Sequence, residues 1–179
     1  MMLSTVSPTR ALLLALCLGL AACNEPEQQG STLGPVAFHP SDECHVCGMA
    51  IQEFPGPKGE AVGREGVRKF CSTAELLGWW LQPENHKAAT VLYVHDMGRS
   101  AWHAPDDAHL IDARQAWYVV GPKLQGAMGA VLASFADEQA ARQLAAEHGG
   151  RVLRFAQIDQ QVLQEAARDI AGHGAHGAH

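Results

Sequence analysis

The residues best suited to chemistry lie in one short segment, Asp42 to Met49, which reads Asp-Glu-Cys-His-Val-Cys-Gly-Met. Cys44 and Cys47 have the spacing at which two sulfurs can converge on one point, which suits a metal ion, a disulfide or thiol exchange. Covalent haem attachment is excluded, because a histidine would have to follow Cys47 and Gly48 stands there instead. The segment therefore predicts either a metal site or a redox-active pair.

Ligand preferences separate these alternatives. A thioredoxin-like pair needs a buried strand before it and a helix that begins at it, but Asp42 and Glu43 precede this pair and Gly48 interrupts any following helix. A structural zinc site usually has four Cys or His ligands, and only Cys71 and scattered histidines are left to complete one. Monovalent copper prefers thiolate and thioether donors, so Met49 favours copper.

Three methionines lie in an unusual setting for this side chain. Met49, Met97 and Met128 each stand beside glycine in a polar stretch, whereas a core methionine normally belongs to an apolar periodic segment. They are therefore candidate copper ligands together with the cysteines. His45, inside the Cys-x-x-Cys loop, and His103, near Met97, are further candidates, although a polar surface position is the simpler explanation for each.

The chain has five cysteines, an odd number, and their positions divide them by task. Residues 1–22 carry one basic residue, an apolar run too short to span a bilayer, and small residues immediately before Cys23. This pattern predicts a lipoprotein signal peptide, cleavage before Cys23 and acylation of its thiol, with cleavage without a lipid as the alternative. Cys17 leaves with the signal peptide, so three thiols remain for the folded domain: Cys44, Cys47 and Cys71.

The position of Cys71 leaves its role open. It lies just before Ser72, where a helix is predicted to begin, and the positive end of a helix dipole can lower a thiol pKa. A small buried residue beside the cap is an equal alternative. A disulfide with Cys44 or Cys47 in the absence of metal is a third.

Export places the folded part in an oxidising compartment, the periplasm of a Gram-negative cell or the outer surface of a Gram-positive one. Asn24 after the lipidated cysteine leaves attachment to the outer or the inner membrane open. The formal net charge of −6 argues against a nucleic-acid partner, which needs a basic face. With 47% hydrophobic residues, the composition is that of a globular domain.

The elements that must position these residues form a weak internal repeat. In each half a phenylalanine and a capping residue precede a helix, a breaker and a β-branched strand. The helices are predicted over 72–81 and 138–147, and the strands over 90–94 and 151–155. With strand candidates before each helix, the predicted fold class is α+β, built from two related ββαβ halves. Chance similarity of the two patterns is the alternative.

The chain is predicted to divide into five parts. They are the signal peptide at 1–22, a flexible tether from lipidated Cys23 over 23–35, a first half over 36–98 with the Cys-x-x-Cys-Gly-Met motif, a second half over 99–171 with a C-terminal helix at about 159–170, and a disordered tail rich in His, Gly and Ala over 172–179.

Several motifs together resemble those of the NosL family, which are lipoprotein accessory proteins for the assembly of nitrous oxide reductase. The similarity spans about residues 38–158. It rests on Cys-x-x-Cys-Gly-Met at 44–49, Phe-Pro-Gly-Pro-Lys-Gly at 54–59, Phe-Cys-Ser at 70–72, Leu-Tyr-Val-His-Asp-Met-Gly at 92–98, Asp-Ala-Arg-x-Ala-Trp-Tyr-Val at 112–119 and Gly-Ala-Met-Gly at 126–129. The resemblance implies the same fold of two ββαβ halves.

The resemblance also implies a periplasmic Cu(I) carrier without catalytic turnover. Its partners would be a NosDFY-type ABC transporter, apo nitrous oxide reductase and, through the lipid, the membrane. Carried over by position, the family motifs imply copper ligands at Cys44, Cys47, Met49 and Met128. The further candidates are Cys71, Met97, His45 and His103. Two alternatives stay open: a periplasmic thiol–disulfide reductase that uses Cys44 and Cys47, and a lipoprotein scaffold whose cysteines are only structural.

Overall fold

The computed structural model describes residues 33–86, 89–127 and 130–174, with the backbone alone described for 169–174. The predicted signal peptide, the lipidation site at Cys23 and the candidate ligand Met128 lie outside these ranges. Among the helices in these ranges, none is both long enough and apolar enough to cross a membrane.

The first half is an antiparallel sheet with one helix packed against it. Strands β1 (Gly59–Gly63) and β2 (Gly66–Phe70) form a hairpin, helix α1 (Thr73–Trp80) follows, and β3 (Val91–His95) pairs with the other edge of β1. A fourth strand, β4 (Leu110–Asp112), lies beside β3 and gives the order β2-β1-β3-β4. This sheet therefore includes a strand from beyond residue 99, where the sequence placed the start of the second half.

The second half repeats the same order of elements. Strands β5 (Trp117–Val120) and β6 (Leu132–Phe135) pair antiparallel, helix α2 (Glu138–His148) follows, and β7 (Arg151–Arg154) pairs with the other edge of β5. The central strand is the first of its half in both sheets, which confirms the predicted α+β fold of two related ββαβ halves. A last helix, α3 (Gln160–Gly174), continues into the first residues of the predicted tail.

Side-chain caps fix where the two internal helices begin. The Ser72 hydroxyl accepts a hydrogen bond from the Glu75 N–H at 3.1 Å, and Asp137 Oδ1 accepts one from the Ala140 N–H at 2.9 Å. Both caps satisfy backbone donors that a helix start would otherwise leave unpaired. The Ser72 cap also places Cys71 at the junction between β2 and α1.

Helix α1 lies so close to β1 that position 59 must be glycine. A Cβ atom at Gly59 would lie 2.6 Å from Leu76 Cδ2 and 2.9 Å from Leu76 Cβ, closer than side-chain carbons pack. Leu76 is fully buried in the same hydrophobic cluster as Phe70, Cys71 and Cys44. The core of the first half therefore reaches the two buried cysteines.

A row of polar side chains crosses the face of the first sheet opposite α1. Its members are register neighbours in adjacent strands: Lys69, Glu60, Tyr93 and Asp112. Three of them hydrogen-bond to the main chain of residues 33–37: Lys69 Nζ donates to Ala37 O at 2.6 Å, Tyr93 OH donates to Leu33 O at 2.6 Å, and Glu60 Oε1 accepts from the Val36 N–H at 2.7 Å. The last residues of the predicted tether thus lie on the domain.

The buried Glu60 carboxyl group makes stability depend on pH. Burial raises its pKa from 4.5 to about 7, and Oε2 has no hydrogen-bond partner among the described residues. The folded state therefore holds a proton that the unfolded chain releases, so the stabilisation from Glu60 is complete below pH 4.5 and is lost as pH rises through 7. In Glu60→Gln this loss is absent. We expect the free energy of unfolding of the variant, relative to wild type, to rise by up to about 3 kcal/mol between pH 4 and pH 8.

Urea unfolding of both proteins across this range measures the difference, in which the titration of all other groups cancels. Parallel stability profiles for wild type and Glu60→Gln would contradict this prediction, because they would show that the pKa of Glu60 is the same in the folded and unfolded chains.

Candidate metal centre

The loop that carries Cys44 and Cys47 is a tight turn closed by its own backbone. The Cys44 N–H donates to Met49 O at 2.9 Å, and the Gly48 N–H donates to Cys44 O at 2.8 Å. Gly48 has a φ of +71°, a left-handed conformation that favours glycine directly after Cys47. Residues 45–47 form a turn and no α-helix begins at either cysteine, so the loop lacks the arrangement of a thioredoxin-like redox pair.

Contacts with strand β2 and helix α1 hold this loop in place. The His45 N–H donates to Lys69 O at 2.8 Å, and the Lys69 ammonium forms an ion pair of 2.5 Å with Asp42. Burial raises the pKa of Asp42, but the hydrogen bonds from Lys69 and the His39 N–H, together with the nearby positive charges, outweigh burial and leave the pKa below its ordinary value. The His45 ring packs edge-on against Phe70 and Trp79, with ring centroids 5.9 and 6.1 Å away. His45 therefore anchors the loop at both its backbone and its ring.

Three cysteine sulfurs converge at the base of the loop. The Sγ atoms of Cys44, Cys47 and Cys71 all lie within 4.8 Å of one another, and the Cys47–Cys71 pair is separated by 3.7 Å. Cys44 and Cys71 are 3% and 2% exposed, whereas Cys47 is exposed to solvent. Cys71 is not part of the Cys-x-x-Cys motif. It directly follows strand β2, which positions it beside the other two cysteines. Within the described part of the chain, no histidine or carboxylate joins the group.

The two buried thiols differ in acidity. Burial raises the pKa of Cys44, but hydrogen bonds from the backbone N–H groups of Cys47, Cys71 and Val46 outweigh it, so the pKa falls below its ordinary value. Burial, reinforced by the negative charge of Cys44, raises the pKa of Cys71. Of the alternatives open for Cys71, these surroundings favour a small buried residue beside the helix cap over a thiol with a pKa lowered by the α1 dipole.

The separation of the sulfurs suits a single thiophilic ion. With metal–sulfur bonds of about 2.3 Å, the sulfurs around a three-coordinate ion lie about 4 Å apart. The three thiols need only small shifts to reach this geometry from their present positions. Because all the donors are soft, the set favours Cu(I), and a four-ligand zinc site would need one further donor.

The other predicted ligands lie in different surroundings. Met49 is half-buried within the loop. Met97 packs against a second hydrophobic cluster that contains Phe135, separate from the cluster with Cys44 and Cys71. His103 is exposed and is not a member of the cysteine group. Residues 127 and 130, on either side of Met128, line the same small cavity as Ser72, the neighbour of Cys71.

Sequence reasoning missed Lys58, which is only 3% exposed. Its Nζ donates to the carbonyl oxygens of Phe54 and Pro55, and its backbone N–H donates to His95 Nδ1 at 3.0 Å. Burial lowers the pKa of Lys58 to about 8, while the thiolate form of Cys71 would raise it. The signal in the sequence was a lone lysine between Pro57 and Gly59, just before the residues that form β1.

Comparison with known proteins relates this chain to one family. A family model described as NosL matches residues 35–163. The "Copper-binding lipoprotein NosL" of Stutzerimonas stutzeri is 63% identical over 175 residues, which cover 94% of this chain and 92% of the relative. The protein of the same description from Achromobacter cycloclastes is 37% identical over 163 residues, which cover 86% and 82%.

A solved structure extends the similarity to the fold. The crystal structure of the copper chaperone NosL from Shewanella denitrificans superimposes with a TM-score of 0.69 at 44% identity, and the match covers 72% of this chain and 98% of that one. The sequence match over most of the chain and the shared arrangement of two sheets lead to the same conclusion: this chain belongs to the NosL family.

Proposed function

We propose that this protein is a lipid-anchored periplasmic metallochaperone that carries Cu(I). The observation that carries the proposal is the group of three cysteine sulfurs within 4.8 Å of one another, two of them buried and one exposed. The names of its relatives, copper-binding lipoproteins and a copper chaperone, support copper as the cargo. Soft sulfur donors stabilise the monovalent ion, which supports Cu(I) over Cu(II).

The proposed ligands are the three thiols with thioether support. Cys44, Cys47 and Cys71 supply the thiolates, and Met49 is the nearest methionine along the chain. Met128 is proposed as a second thioether, because its chain neighbours at 127 and 130 line a cavity with Ser72. Such a site would draw ligands from both halves. His45, Met97 and His103 are left out of the proposed site because their surroundings account for them otherwise.

Different exposure of the thiols suggests how copper enters and leaves. The exposed Cys47 offers the first contact for an incoming ion, and the buried Cys44 and Cys71 then hold it away from water. For release, a thiolate or thioether of the partner can enter the shell at Cys47 before a donor of this protein leaves. No substrate bond is made or broken, so the proposed carrier is not an enzyme.

Family membership and the lipoprotein signal support a specific route for this copper. We propose that the protein delivers it for the copper centres of apo nitrous oxide reductase, together with a NosDFY-type ABC transporter. A lipid on Cys23 would hold the domain at the outer or inner membrane, and the net negative charge would favour docking to a basic patch on the partner.

Competition between the signal-free, reduced protein and a Cu(I) chelator tests the carrier function. We expect tight one-to-one binding for wild type, and a loss of affinity of roughly tenfold in Met49→Leu or Met128→Leu, because leucine keeps the size of the side chain but removes the thioether. Met97→Leu is the matched control and should bind like wild type. Failure of wild type to outcompete a micromolar chelator would contradict the carrier function. Affinities unchanged in both methionine variants would contradict thioether ligation.

Delivery is tested in cells that depend on this protein for an active nitrous oxide reductase. We expect the reductase isolated from cells with the Cys44→Ser/Cys47→Ser variant to lack copper. A fully loaded reductase in these cells would contradict delivery through the cysteines and would favour a scaffold.

A further inference from the structure

Lys58 is a buried lysine that interacts electrostatically with Cys71. In the β1–β2 hairpin Gly59 pairs with Phe70, so the same antiparallel register places Lys58 opposite Cys71, one residue beyond each strand. The ammonium group is held by the main-chain carbonyl oxygens of Phe54 and Pro55. Among the described residues, no carboxylate forms an ion pair with it.

A buried ammonium group without a carboxylate partner is costly, because it loses water and gains only main-chain dipoles in return. A copper–thiolate centre has the opposite need. One Cu(I) ion with two thiolates carries one net negative charge, and a third thiolate adds another. Since Cys44 and Cys71 are both buried, this negative charge would also lie away from water. The Lys58 ammonium lacks a negatively charged partner, and the copper–thiolate centre needs a positively charged one.

We propose that Lys58 is the countercharge of the copper–thiolate centre, a positioning residue that acts through the thiolates and does not itself bind copper. The inference rests on the proposed Cu(I) function. It also implies selectivity for charge: three thiolates around a divalent ion leave one net negative charge, whereas around Cu(I) they leave two. Lys58 therefore stabilises the monovalent complex more than the divalent one.

The test compares metal affinities of reduced, signal-free wild type, Lys58→Met and Lys58→Arg. We expect Lys58→Met to lower Cu(I) affinity roughly ten- to a hundredfold and Zn(II) affinity by less, with Lys58→Arg close to wild type. The apo form of Lys58→Met should be at least as resistant to urea as wild type, since a buried unpaired charge has been removed. Lys123→Met, at an exposed lysine, changes the net charge equally and should leave both affinities unchanged.

A purely structural role for Lys58 predicts a different pattern. It would lower the stability of the apo protein, weaken both metals equally and leave Lys58→Arg as impaired as Lys58→Met, and this pattern would overturn the inference.

A double-mutant cycle with Cys71→Ser sharpens the test. Removing that thiolate takes one negative charge from the site, so Lys58→Met should cost several-fold less Cu(I) affinity in the Cys71→Ser background than in wild type. Equal costs in the two backgrounds would overturn the countercharge role. If wild type binds Cu(I) tightly and Lys58→Met binds it as tightly, the inference fails while the carrier function stands. If wild type does not bind Cu(I), the carrier function itself fails.

Discussion

Cys44→Ser is expected to lower Cu(I) affinity by roughly a thousandfold, or about 4 kcal/mol, the largest loss from any single change at the site. Of the two buried thiols at the site, Cys44 has the lowered pKa, because hydrogen bonds from three backbone N–H groups to its sulfur outweigh burial. Cys44 therefore gives up its proton to an incoming copper ion more readily than Cys71 does. Serine fits the same space and keeps the turn, but its hydroxyl oxygen is a hard, neutral and weak donor for Cu(I).

The other two cysteines provide the comparison. Cys71 must lose a proton against a raised pKa before it can bind, so part of the energy of its copper–sulfur bond is offset, and Cys71→Ser should cost less than Cys44→Ser. Cys47 is exposed, and Cys47→Ser should act more on the rates of copper exchange than on affinity. Chelator competition and stopped-flow transfer to the chelator measure both quantities. Equal losses of Cu(I) affinity in all three variants would contradict the different roles assigned to the three thiols.

Local sequence patterns predicted only the part of the site whose residues lie within a few positions of one another in the chain. The spacing of Cys44 and Cys47 is contained in one turn, and Ser72 and Asp137 cap helices that begin at the next residue, so no tertiary contact was needed to find them. Cys71 joins the site only because the loop packs against the end of β2 in the β1–β2 hairpin, where the His45 N–H donates to Lys69 O. The hairpin could not be recognised in the sequence because β1, which lies between β2 and β3, is covered on both faces, one by α1 and the other by residues 33–37. The sequence of β1 therefore lacks a simple alternation of polar and apolar residues.

Met97 and Lys58 also show that local sequence patterns do not reveal contacts between distant residues. Met97 was predicted as a candidate ligand from its polar neighbours along the chain, which do not reveal that it packs against residues of the second half, such as Phe135. Lys58 was overlooked because a lysine is normally exposed, and its burial follows from its place beside the hairpin. Both depend on contacts between residues far apart in sequence, which periodicity cannot detect.

Phe70→Ala is expected to lower the free energy of unfolding of the apo protein by about 3–5 kcal/mol. The Phe70 side chain is fully buried and packs against Trp79 and His45, with ring centroids 5.4 and 5.9 Å away. Truncation leaves a cavity between the β1–β2 hairpin, α1 and the cysteine loop. A domain of this size commonly has 5–15 kcal/mol of stability, so a substantial part of it would be lost. Urea unfolding of the apo protein measures the change.

The internal repeat supplies a matched control for this change. Phe135 ends β6 as Phe70 ends β2 and is 3% exposed, but it packs in the second hydrophobic cluster, away from the buried cysteines. Phe135→Ala should destabilise the apo protein by a similar amount and leave Cu(I) affinity unchanged, because the folded site is intact. Phe70→Ala should also weaken Cu(I) binding, because it loosens both His45 in the loop and the strand end that carries Cys71. Equal copper affinity in the two variants would show that the loop does not depend on Phe70 for its position.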